Sequence, residues 1–587
     1  MEEEDNIINN NSTVNQPRIL TGTDDFKTLL LKSEVFVDKS LLIKEVIEDS
    51  ASVILITRPR RWGKSLNMDM IEKFLAIEVD QQGNPLPQEQ RINNKLFIGG
   101  EIDLGFGETK ELKPLKIASH ESSIKRQGQF PVISISFKDV KGGSYKEIED
   151  GVKDQVTGLY ERYKYLEQYN EEKSKLLSNS QKGKLKRYLD GDINRNNLKA
   201  SLRFLSEILY KHFGQKVYIL IDEYDTPINN AYIKFGDKLD KFKKITELFG
   251  GIFGSALKDN DSLERGMITG ILRIAKANLF SDLNNAREYT LLDKKFSKFY
   301  GFTQEEVDEL LIKVPTITTP EEIRDWYNGY TFGGEIIYNP WSIMLCLSSD
   351  GELDHYWLDS GGTGLIDKAL LSDEMQEDLQ QLAAGNIIVS PITKQITFGD
   401  INKPIGLFSL LLFSGYLNPT AKEPEENIYE LSVPNKEVKY IYETRVLQWV
   451  TDKLNIDSSR YYSFVSLLPV GKVEEFKERL QELLHNSTSF HQIGEKKAEL
   501  FYNGFMLGLI NTLAPGYIIE SEREAGSGRP DIVLIPKLGK NDQAIIIEYK
   551  IAKNTEGLAS IARTGLNQII NKHYDTKIKE HHYVKKL

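Results

Sequence analysis

Three charged residues stand at the ends of two apolar runs near the end of the chain. Asp531 begins the first run, in RPDIVLI, while Glu548 and Lys550 end the second, AIIIEYK. Side chains two apart on a strand share a face, and an antiparallel neighbour would bring Asp531 beside Glu548 and Lys550. Adjacent carboxylates repel unless a cation lies between them. The pattern predicts a Mg²⁺ site on Asp531 and Glu548, where Lys550 aligns or deprotonates the attacking water.

A third acid precedes these strands. The segment EKKAELFYNGFMLGLINTL at 495–513 has helical periodicity, and Glu499 lies on its apolar face. A carboxylate on an inward-facing apolar stripe requires a partner, so Glu499 is predicted to join the other two acids. The alternative is a salt-bridged surface hairpin, in which the charges of both strand ends are neutralised in solvent.

A second group of residues could bind phosphate. The segment RPRRWGKS follows the apolar run at 53–56 and ends in Gly63, Lys64 and Ser65, which match the end of a Walker A loop. Gly63 lets backbone amides face phosphate, Lys64 can reach the β- and γ-phosphates, and the Ser65 hydroxyl can ligate Mg²⁺. Arg58 stands where the first glycine of that motif would be, so the match is incomplete.

Two acids complete the predicted nucleotide site. In VYILIDEYD, a buried strand at 217–221 delivers Asp222 and Glu223 to its carboxyl end, where ligands bind in α/β sheets. Asp222 is expected to hold Mg²⁺ through water, and Glu223 is expected to polarise the attacking water. The alternative is a solvated strand end with a helix N-cap.

Further polar residues are candidates for contact with ATP. Thr269 and Arg273, in ITGILRIAK, are placed to report on a γ-phosphate, although a capped strand end with a solvated arginine explains them equally well. The predicted ATP-binding set also includes Arg58 and Arg61. Any one of four arginines could act as an arginine finger, and the sequence does not choose among Arg58, Arg60, Arg61 and Arg273.

The elements that position these residues form an α/β pattern. Continuous apolar runs at 53–56, 132–137, 217–221 and 266–271 predict strands buried on both faces of a parallel sheet. Segments of helical periodicity alternate with these runs, as in a doubly wound fold with helices on both faces. The run at 132–137, between the Walker A and Walker B strands, favours the branch of P-loop enzymes that has a catalytic glutamate.

Several long strings resemble one known family. They occur in order through the chain as FVDKS, RPRRWGKSLNMDMIEKFL, FPVISISFKDV, LIDEYDTPI, WYNGYTFGGEIIYNPWSI and YWLDSGGTGLI. This set is similar to the divergent AAA-ATPase-like family of bacterial and mobile-element proteins, whose members typically carry a C-terminal PD-(D/E)xK nuclease domain. The resemblance implies ATP binding at Gly63, Lys64, Ser65 and Asp222, and Arg58 is the residue that the family usually has at its position.

The same resemblance extends to the C-terminal residues. Glu499, Asp531, Glu548 and Lys550 match the E…D…ExK pattern of the nuclease fold, which is a restriction-endonuclease-like α/β domain. Gln568 and Tyr574 resemble the Gln and Tyr that follow the motif in related domains, at a spacing of six residues instead of four. The fold should end in a short strand, HHYVKKL.

The middle of the chain has no catalytic pattern. Thr303 and Glu306 predict a capping box at the start of a helix, and the aromatics of 325–332 predict a core hairpin. We predict a mainly helical middle region. The expected limits are 1–17 for a disordered tail, 18–290 for the P-loop domain, 291–435 for a helical lid or winged-helix-like region, 436–484 for a helical linker and 485–587 for the nuclease-like domain.

Composition restricts the functional classes. The 587 residues have a net charge of −11, so contact with nucleic acid requires local basic segments such as those at 58–61, 182–187 and 572–586. The single cysteine, Cys346, fits a reducing compartment, and a cytoplasmic location is expected. The most apolar stretch, 405–417, predicts a core helix, so no membrane partner is expected.

These observations lead to one main hypothesis and two rivals. The main one is an ATP-binding, ATP-hydrolysing protein whose nucleotide state controls a Mg²⁺-dependent nuclease domain that acts on DNA more than on RNA. A rival is a nucleotide-switched module that binds nucleic acid or protein and has an inactive nuclease-like domain. A third hypothesis is ATP hydrolysis alone. The cofactors expected are ATP and Mg²⁺, and assembly into a homo-oligomer is left open.

Overall fold

The computed structural model describes most of the chain. The described residues are 16–105, 107–171, 174–235, 239–272, 285–358, 376–383, 385–395, 403–423, 426–454, 458–486, 506, 509–510, 513, 516–521, 528, 530–550 and 557–587. The chain divides into two compact units, Met1–Ser360 and Gly361–Leu587. Each unit is described separately.

A five-stranded parallel sheet forms the centre of the first unit. Its strands are β1 (Val53–Thr57), β4 (Val132–Ser136), β5 (Val217–Asp222), β6 (Leu263–Gly270) and β7 (Ala286–Tyr289), in the order β4-β5-β6-β1-β7. All neighbours are parallel. Every residue of β1 and β5 is buried, as expected for strands covered on both faces. The α/β fold and four of these strands were predicted from the apolar runs.

The sheet also differs from the predicted one. Its fifth strand, β7, lies at the edge beside β1 and has a mixed polar sequence, AREY, which is why no apolar run marked it. Along the chain β4 lies between β1 and β5, but in the sheet β4 is the other edge strand and β6 separates β1 from β5. The carboxyl ends of β1, β5 and β6 are therefore adjacent.

Helices surround this sheet. The α-helices of the first unit are Phe26–Lys32, Leu41–Glu48, Lys64–Leu75, Ile92–Ile98, Glu121–Ile124, Tyr145–Glu161, Asn179–Leu189, Arg195–Lys199, Ser201–Phe213, Thr226–Phe235, Leu239–Leu257, Gln304–Lys313, Pro320–Tyr327 and Pro340–Ser348. Short 3₁₀ turns occur at Gln88–Gln90, Lys116–Ser119, Lys164–Asn170 and Ser297–Phe299. Two hairpins complete the unit: β2 (Gly100–Gly105) with β3 (Glu108–Leu112), and β8 (Tyr330–Phe332) with β9 (Glu335–Ile337).

Two local predictions for the middle region are confirmed. The Thr303 hydroxyl accepts a hydrogen bond from the Glu306 amide, and the Glu306 carboxylate accepts one from the Thr303 amide, which forms the capping box. In the aromatic segment, residues 330–332 form β8 of the β8–β9 hairpin, with Tyr330 and Phe332 buried, whereas residues 325–327 are the end of the helix Pro320–Tyr327. Residues 291–358 lie in the same compact unit as the sheet. The domain limit expected near 290 stays a prediction.

The second unit contains two three-stranded antiparallel sheets. One consists of β10 (Ile388–Pro391), β11 (Asn418–Glu423) and β12 (Ile428–Ser432) in the order β10-β12-β11. The other consists of β13 (Tyr517–Ser521), β14 (Ile532–Pro536) and β15 (Ile545–Ile547) in that order. The helices are Gln376–Ala383, Pro404–Phe413, Lys436–Leu454, Ser458–Val465, Val473–Asn486, Leu558–Asn571 and Thr576–Lys579.

Two predictions for this unit have different outcomes. The apolar stretch predicted as a core helix forms Pro404–Phe413, and its residues 406–413 are buried. The predicted last strand, HHYVKKL, does not form. Residue Lys586 makes only an isolated bridge with Gln543, because the segment turns at 582–583 and offers few apolar side chains to a sheet. Among the described residues, no helix is long and apolar enough to cross a bilayer.

A buried ion pair joins the region after the sheet to the start of the first unit. The Lys39 ammonium lies 2.5 Å from the Glu306 carboxylate, and the two side chains are 10% and 16% exposed. Lys39 also donates to the Lys298 carbonyl at 2.6 Å. Burial lowers the pKa of Lys39, whereas Glu306 opposes that shift.

We predict that Lys39→Met lowers the free energy of unfolding of the first unit by roughly 3 kcal/mol, because it leaves a nearly buried carboxylate without its cation. Urea unfolding followed by tryptophan fluorescence measures the change. Adding Glu306→Gln, which keeps the cap without the charge, should recover part of the loss. An unchanged stability in the single variant would show that this ion pair contributes nothing.

Candidate functional site

The phosphate-loop segment lies between a buried strand and a helix. β1 ends at Thr57, and the helix Lys64–Leu75 begins after Gly63, whose φ of 76° is left-handed. Glycine adopts this conformation without a steric cost, so the chain can turn sharply into the helix. The first amides of a helix have no intrahelical acceptor and attract anions. Gly63 therefore occupies the position at which the predicted loop needs it.

The predicted metal-binding residues of this site are in direct contact. Ser65 Oγ donates to Asp222 Oδ2 at 2.5 Å, and the Thr269 hydroxyl donates to Asp222 Oδ1. Asp222 is 6% exposed at the end of β5. Burial raises the pKa of Asp222, and the hydrogen bonds from Ser65 and Thr269 oppose that shift. Ser65 in the helix after β1, Asp222 at the end of β5 and Thr269 near the end of β6 thus form one polar cluster.

Lys64 and Glu223 flank this cluster. Lys64 Nζ is buried and donates to the Pro59 carbonyl at 2.9 Å. Burial lowers the pKa of Lys64, and the charges of Glu223 and Asp222 raise it. Glu223 has a left-handed φ of 50°, and its carboxylate accepts a hydrogen bond from Thr226 Oγ1 at 3.0 Å. The two acids at the end of β5 therefore supply the negative charge that a buried ammonium requires.

Arg58 makes contacts inside the protein. Its guanidinium is 0% exposed and donates to the carbonyls of Thr57 at 2.7 Å and Tyr289 at 3.0 Å. It lies 5.4 Å from the Tyr300 ring and 5.6 Å from the Phe332 ring. Burial lowers its pKa to about 10. The side chain ties β1 to β7, and direct contact with ATP would require this packing to open.

Arg61 lies on the surface of the loop. Its φ of 63° is left-handed, a conformation that costs a residue other than glycine about 1–2 kcal/mol. Its guanidinium stacks 4.1 Å from the centre of the Trp341 ring. The loop is thus held in a strained conformation by contacts with the region after the sheet.

Two further residues of the DEYD segment position the turn after β6. Asp225 is buried, and its Oδ2 accepts hydrogen bonds from the amides of Ile271 and Leu272, both at 3.0 Å. The Tyr224 hydroxyl donates to the Leu272 carbonyl. This turn leads directly to Arg273, which lies outside the described residues. Asp225, the third acid of this segment, was not among the predicted site residues, because only its burial and hydrogen bonds show its role.

The acids of the second unit also come together. β14 pairs with β15 in antiparallel register, and the last pair is Ile532 opposite Ile547. Asp531 and Glu548 each lie one residue beyond that pair. Asp531 Oδ2 accepts a hydrogen bond from the Tyr549 amide at 2.6 Å. The expectation that an antiparallel partner brings the two acids to one place agrees with this register. The strand β15 is shorter than predicted, since it ends at Ile547.

Glu548 has several partners. Lys550 Nζ lies 2.8 Å from Glu548 Oε1, and Gln568 Nε2 donates to the same oxygen. Gln568 also donates to the Tyr574 hydroxyl at 3.1 Å. Glu548 and Lys550 are therefore in contact, as predicted, although both lie beyond the end of β15. The helix Leu558–Asn571 places Gln568 beside them.

One atom of this cluster fits a cation site. The Glu548 side chain is 4% exposed, and its Oε2 is buried without a hydrogen-bond partner among the described residues. A buried carboxylate oxygen without a donor is costly, and a divalent cation would satisfy it. The third predicted acid, Glu499, lies outside the described residues. Within the described part of the chain, no three His, Cys, Asp or Glu side chains form a metal-binding group.

Comparisons with known proteins match two regions of the chain, one that contains the phosphate loop and one that contains the C-terminal acids. Residues 20–93 and 106–280 match the AAA-ATPase-like family model, described as "Predicted AAA-ATPase", and residues 497–587 match the PD-(D/E)XK nuclease superfamily. The chain is also 25% identical over 554 residues to the "Uncharacterized protein in vnfD 5'region" of Azotobacter chroococcum mcd 1. This alignment covers 92% of this chain and 90% of that protein. The resemblance read from the motifs is confirmed.

We predict a pH-dependent effect of Asp225→Asn. Burial raises the pKa of Asp225 from 3.8 to about 6, so folding favours the protonated form and the carboxyl contributes most to stability at low pH. That contribution, about 3 kcal/mol, is lost as pH rises through about 6. The neutral asparagine should therefore gain stability relative to wild type between pH 4 and 8.

Thermal unfolding of both proteins without nucleotide at several pH values measures this difference. Asp139→Asn, at an exposed position after β4, is the matched control and should show no such trend. A stability difference between Asp225→Asn and wild type that does not vary with pH would contradict the prediction.

Proposed function

We propose that this chain, with its AAA-ATPase-like region and its PD-(D/E)XK nuclease domain, hydrolyses ATP and uses the nucleotide state to control Mg²⁺-dependent cleavage of nucleic acid, DNA in preference to RNA. The observation that carries the proposal is the presence of two separate buried acid clusters in one chain. Asp222 is held by two hydroxyl groups in one unit, and Glu548 is held by Lys550 and Gln568 in the other.

In the first unit, the chain's own groups account for binding and hydrolysis of ATP. Lys64 would exchange its hydrogen bond to the Pro59 carbonyl for the β- and γ-phosphates. Ser65 and Asp222 would hold Mg²⁺, and Glu223 would orient the attacking water and accept its proton. Thr269, which already contacts Asp222, would link the γ-phosphate to β6.

In the second unit, Asp531 and Glu548 would hold the cation through carboxylate oxygens, with Glu499 as a third acid. Lys550 would orient the attacking water and stabilise the charge that develops on the phosphate. Gln568 fixes the Glu548 carboxylate, which leaves Oε2 directed away from its present partners. When bound at either site, Mg²⁺ would supply positive charge to the phosphoryl group under attack.

A nucleotide-switched binding module is the second candidate. The net charge of −11 works against general attraction to nucleic acid, and the short final strand expected for the nuclease fold is not formed. In that case the second unit would bind nucleic acid or protein without cleaving it. Nucleotide binding combined with a failure to cleave any polymer would favour this candidate.

We predict that Lys550→Ala abolishes cleavage of plasmid and oligonucleotide DNA in the presence of Mg²⁺ and ATP, a loss of at least about 100-fold, since it removes the group that orients water and stabilises charge. Gel assays with and without Mg²⁺ and ATP measure this. Lys540→Ala, in the exposed turn between β14 and β15, is the matched control and should cut normally. Cleavage that survives unchanged in Lys550→Ala would refute the assignment.

We predict that Lys64→Ala reduces phosphate release from ATP by at least about 100-fold, because the ammonium neutralises the transferring phosphoryl group. Colorimetric phosphate assays measure the rate. Lys216→Ala, an exposed lysine at the other end of β5, is the control and should retain wild-type turnover. If Lys64→Ala loses turnover but cuts DNA as the wild-type protein does, the two activities are independent.

A further inference from the structure

Three consecutive residues of the phosphate loop are held by elements that follow the sheet. The Trp357 indole N–H donates to the Arg60 carbonyl at 3.0 Å. The Arg61 guanidinium stacks on Trp341 at 4.1 Å from the ring centre. The Trp62 ring packs against the two rings of the β8–β9 hairpin, at centroid distances of 4.8 and 4.6 Å. The loop conformation therefore depends on residues far along the chain.

Two of these contacts converge on one short segment. Trp357 is 0% exposed, so its hydrogen bond to the loop is shielded from water. The Trp341 indole N–H donates at 2.9 Å to the carbonyl of Tyr356, the residue before Trp357. A displacement of Arg60 or Arg61 must consequently move the segment at 356–357 or break its contacts with the loop.

This segment lies at the end of the first unit. The second unit begins at Gly361, four positions after Trp357. We infer that Trp341 and Trp357 are positioning residues that couple the conformation of the phosphate loop to the chain leading into the second unit. The inference rests on the proposed ATP site and names the residues through which that site acts on the rest of the protein.

The physical basis is a thermodynamic linkage between ATP binding at the phosphate loop and the contacts of that loop with the segment at 356–357. We infer that ATP binding rearranges the loop, since it would detach Lys64 from the Pro59 carbonyl within the loop, and a rearranged loop would release the strain of the left-handed Arg61. If that rearrangement changes the Trp357 and Trp341 contacts, weakening the contacts must in turn change ATP affinity. One hydrogen bond and one cation–π contact are of the size that gives a coupling of roughly fivefold.

The test uses the full-length protein with Trp357→Phe, which removes the N–H and keeps an aromatic ring. A second variant, Trp341→Leu, removes the surface on which Arg61 stacks. Trp326→Phe is the matched control, because Trp326 contacts His355 at 5.3 Å between ring centroids but has no described contact with the phosphate loop. ATP turnover and hydrogen exchange of residues 376–550, with and without Mg²⁺ and ATP, are measured for each.

We expect Trp357→Phe and Trp341→Leu to lower KM for ATP by roughly fivefold with kcat within about twofold of wild type, because both weaken contacts that hold the nucleotide-free loop, and to lose most of the ATP-dependent change in exchange. The control, Trp326→Phe, should keep the wild-type KM for ATP and the wild-type exchange response. Wild-type KM and exchange response in both loop variants would overturn the inference while leaving the proposed ATP site intact. A wild-type protein that binds ATP without an exchange response also overturns it, and absence of ATP binding overturns the proposed function as well.

Discussion

A carboxylate buried at the end of a strand must be compensated, and this constraint organises both candidate sites. Asp222 is almost fully buried, and two hydroxyl groups from neighbouring elements supply its hydrogen bonds. Glu548 is equally buried, and a lysine and a glutamine share one of its oxygens. Burial of such groups is unfavourable unless donors or cations surround them. Each candidate site therefore has its polar groups gathered at the ends of apolar strands. Such groups are the ones that phosphate chemistry would need.

The phosphate loop shows a second consequence of burial. Arg58 occupies a fully buried position without a carboxylate in hydrogen-bond contact among the described residues, and it is held by two carbonyls and two aromatic rings. Arg61 stacks on Trp341 on the other side of the loop. Aromatic faces attract cations through the ring quadrupole, and this attraction offsets part of the desolvation cost of the buried guanidinium. A loop rich in arginine can thus pack against the hairpin and helices that follow the sheet, and residues 291–358 lie in the same compact unit as the loop.

Much of this arrangement could be predicted from the sequence, because the signals are local. Continuous apolar runs identified four strands of the parallel sheet, and a spacing of two residues predicted the contact between Glu548 and Lys550, although both lie beyond the end of β15. The Thr303 capping box needs only a spacing of three residues. Other features depend on distant contacts and leave no local trace. The polar strand β7 forms because it pairs with the otherwise free edge of β1. The burial of Arg58 depends on residues some 240 positions later in the chain. Asp225 is recognisable only by its burial.

The central claim is that each acid cluster binds a divalent cation, and a Mn²⁺ titration followed by electron paramagnetic resonance tests it most directly. One Mn²⁺ site should fill without nucleotide and disappear in Glu548→Gln. A second site should appear only with ATP and disappear in Asp222→Asn. Mn²⁺ binding that neither substitution changes, or no bound Mn²⁺ with or without ATP, would contradict the claim.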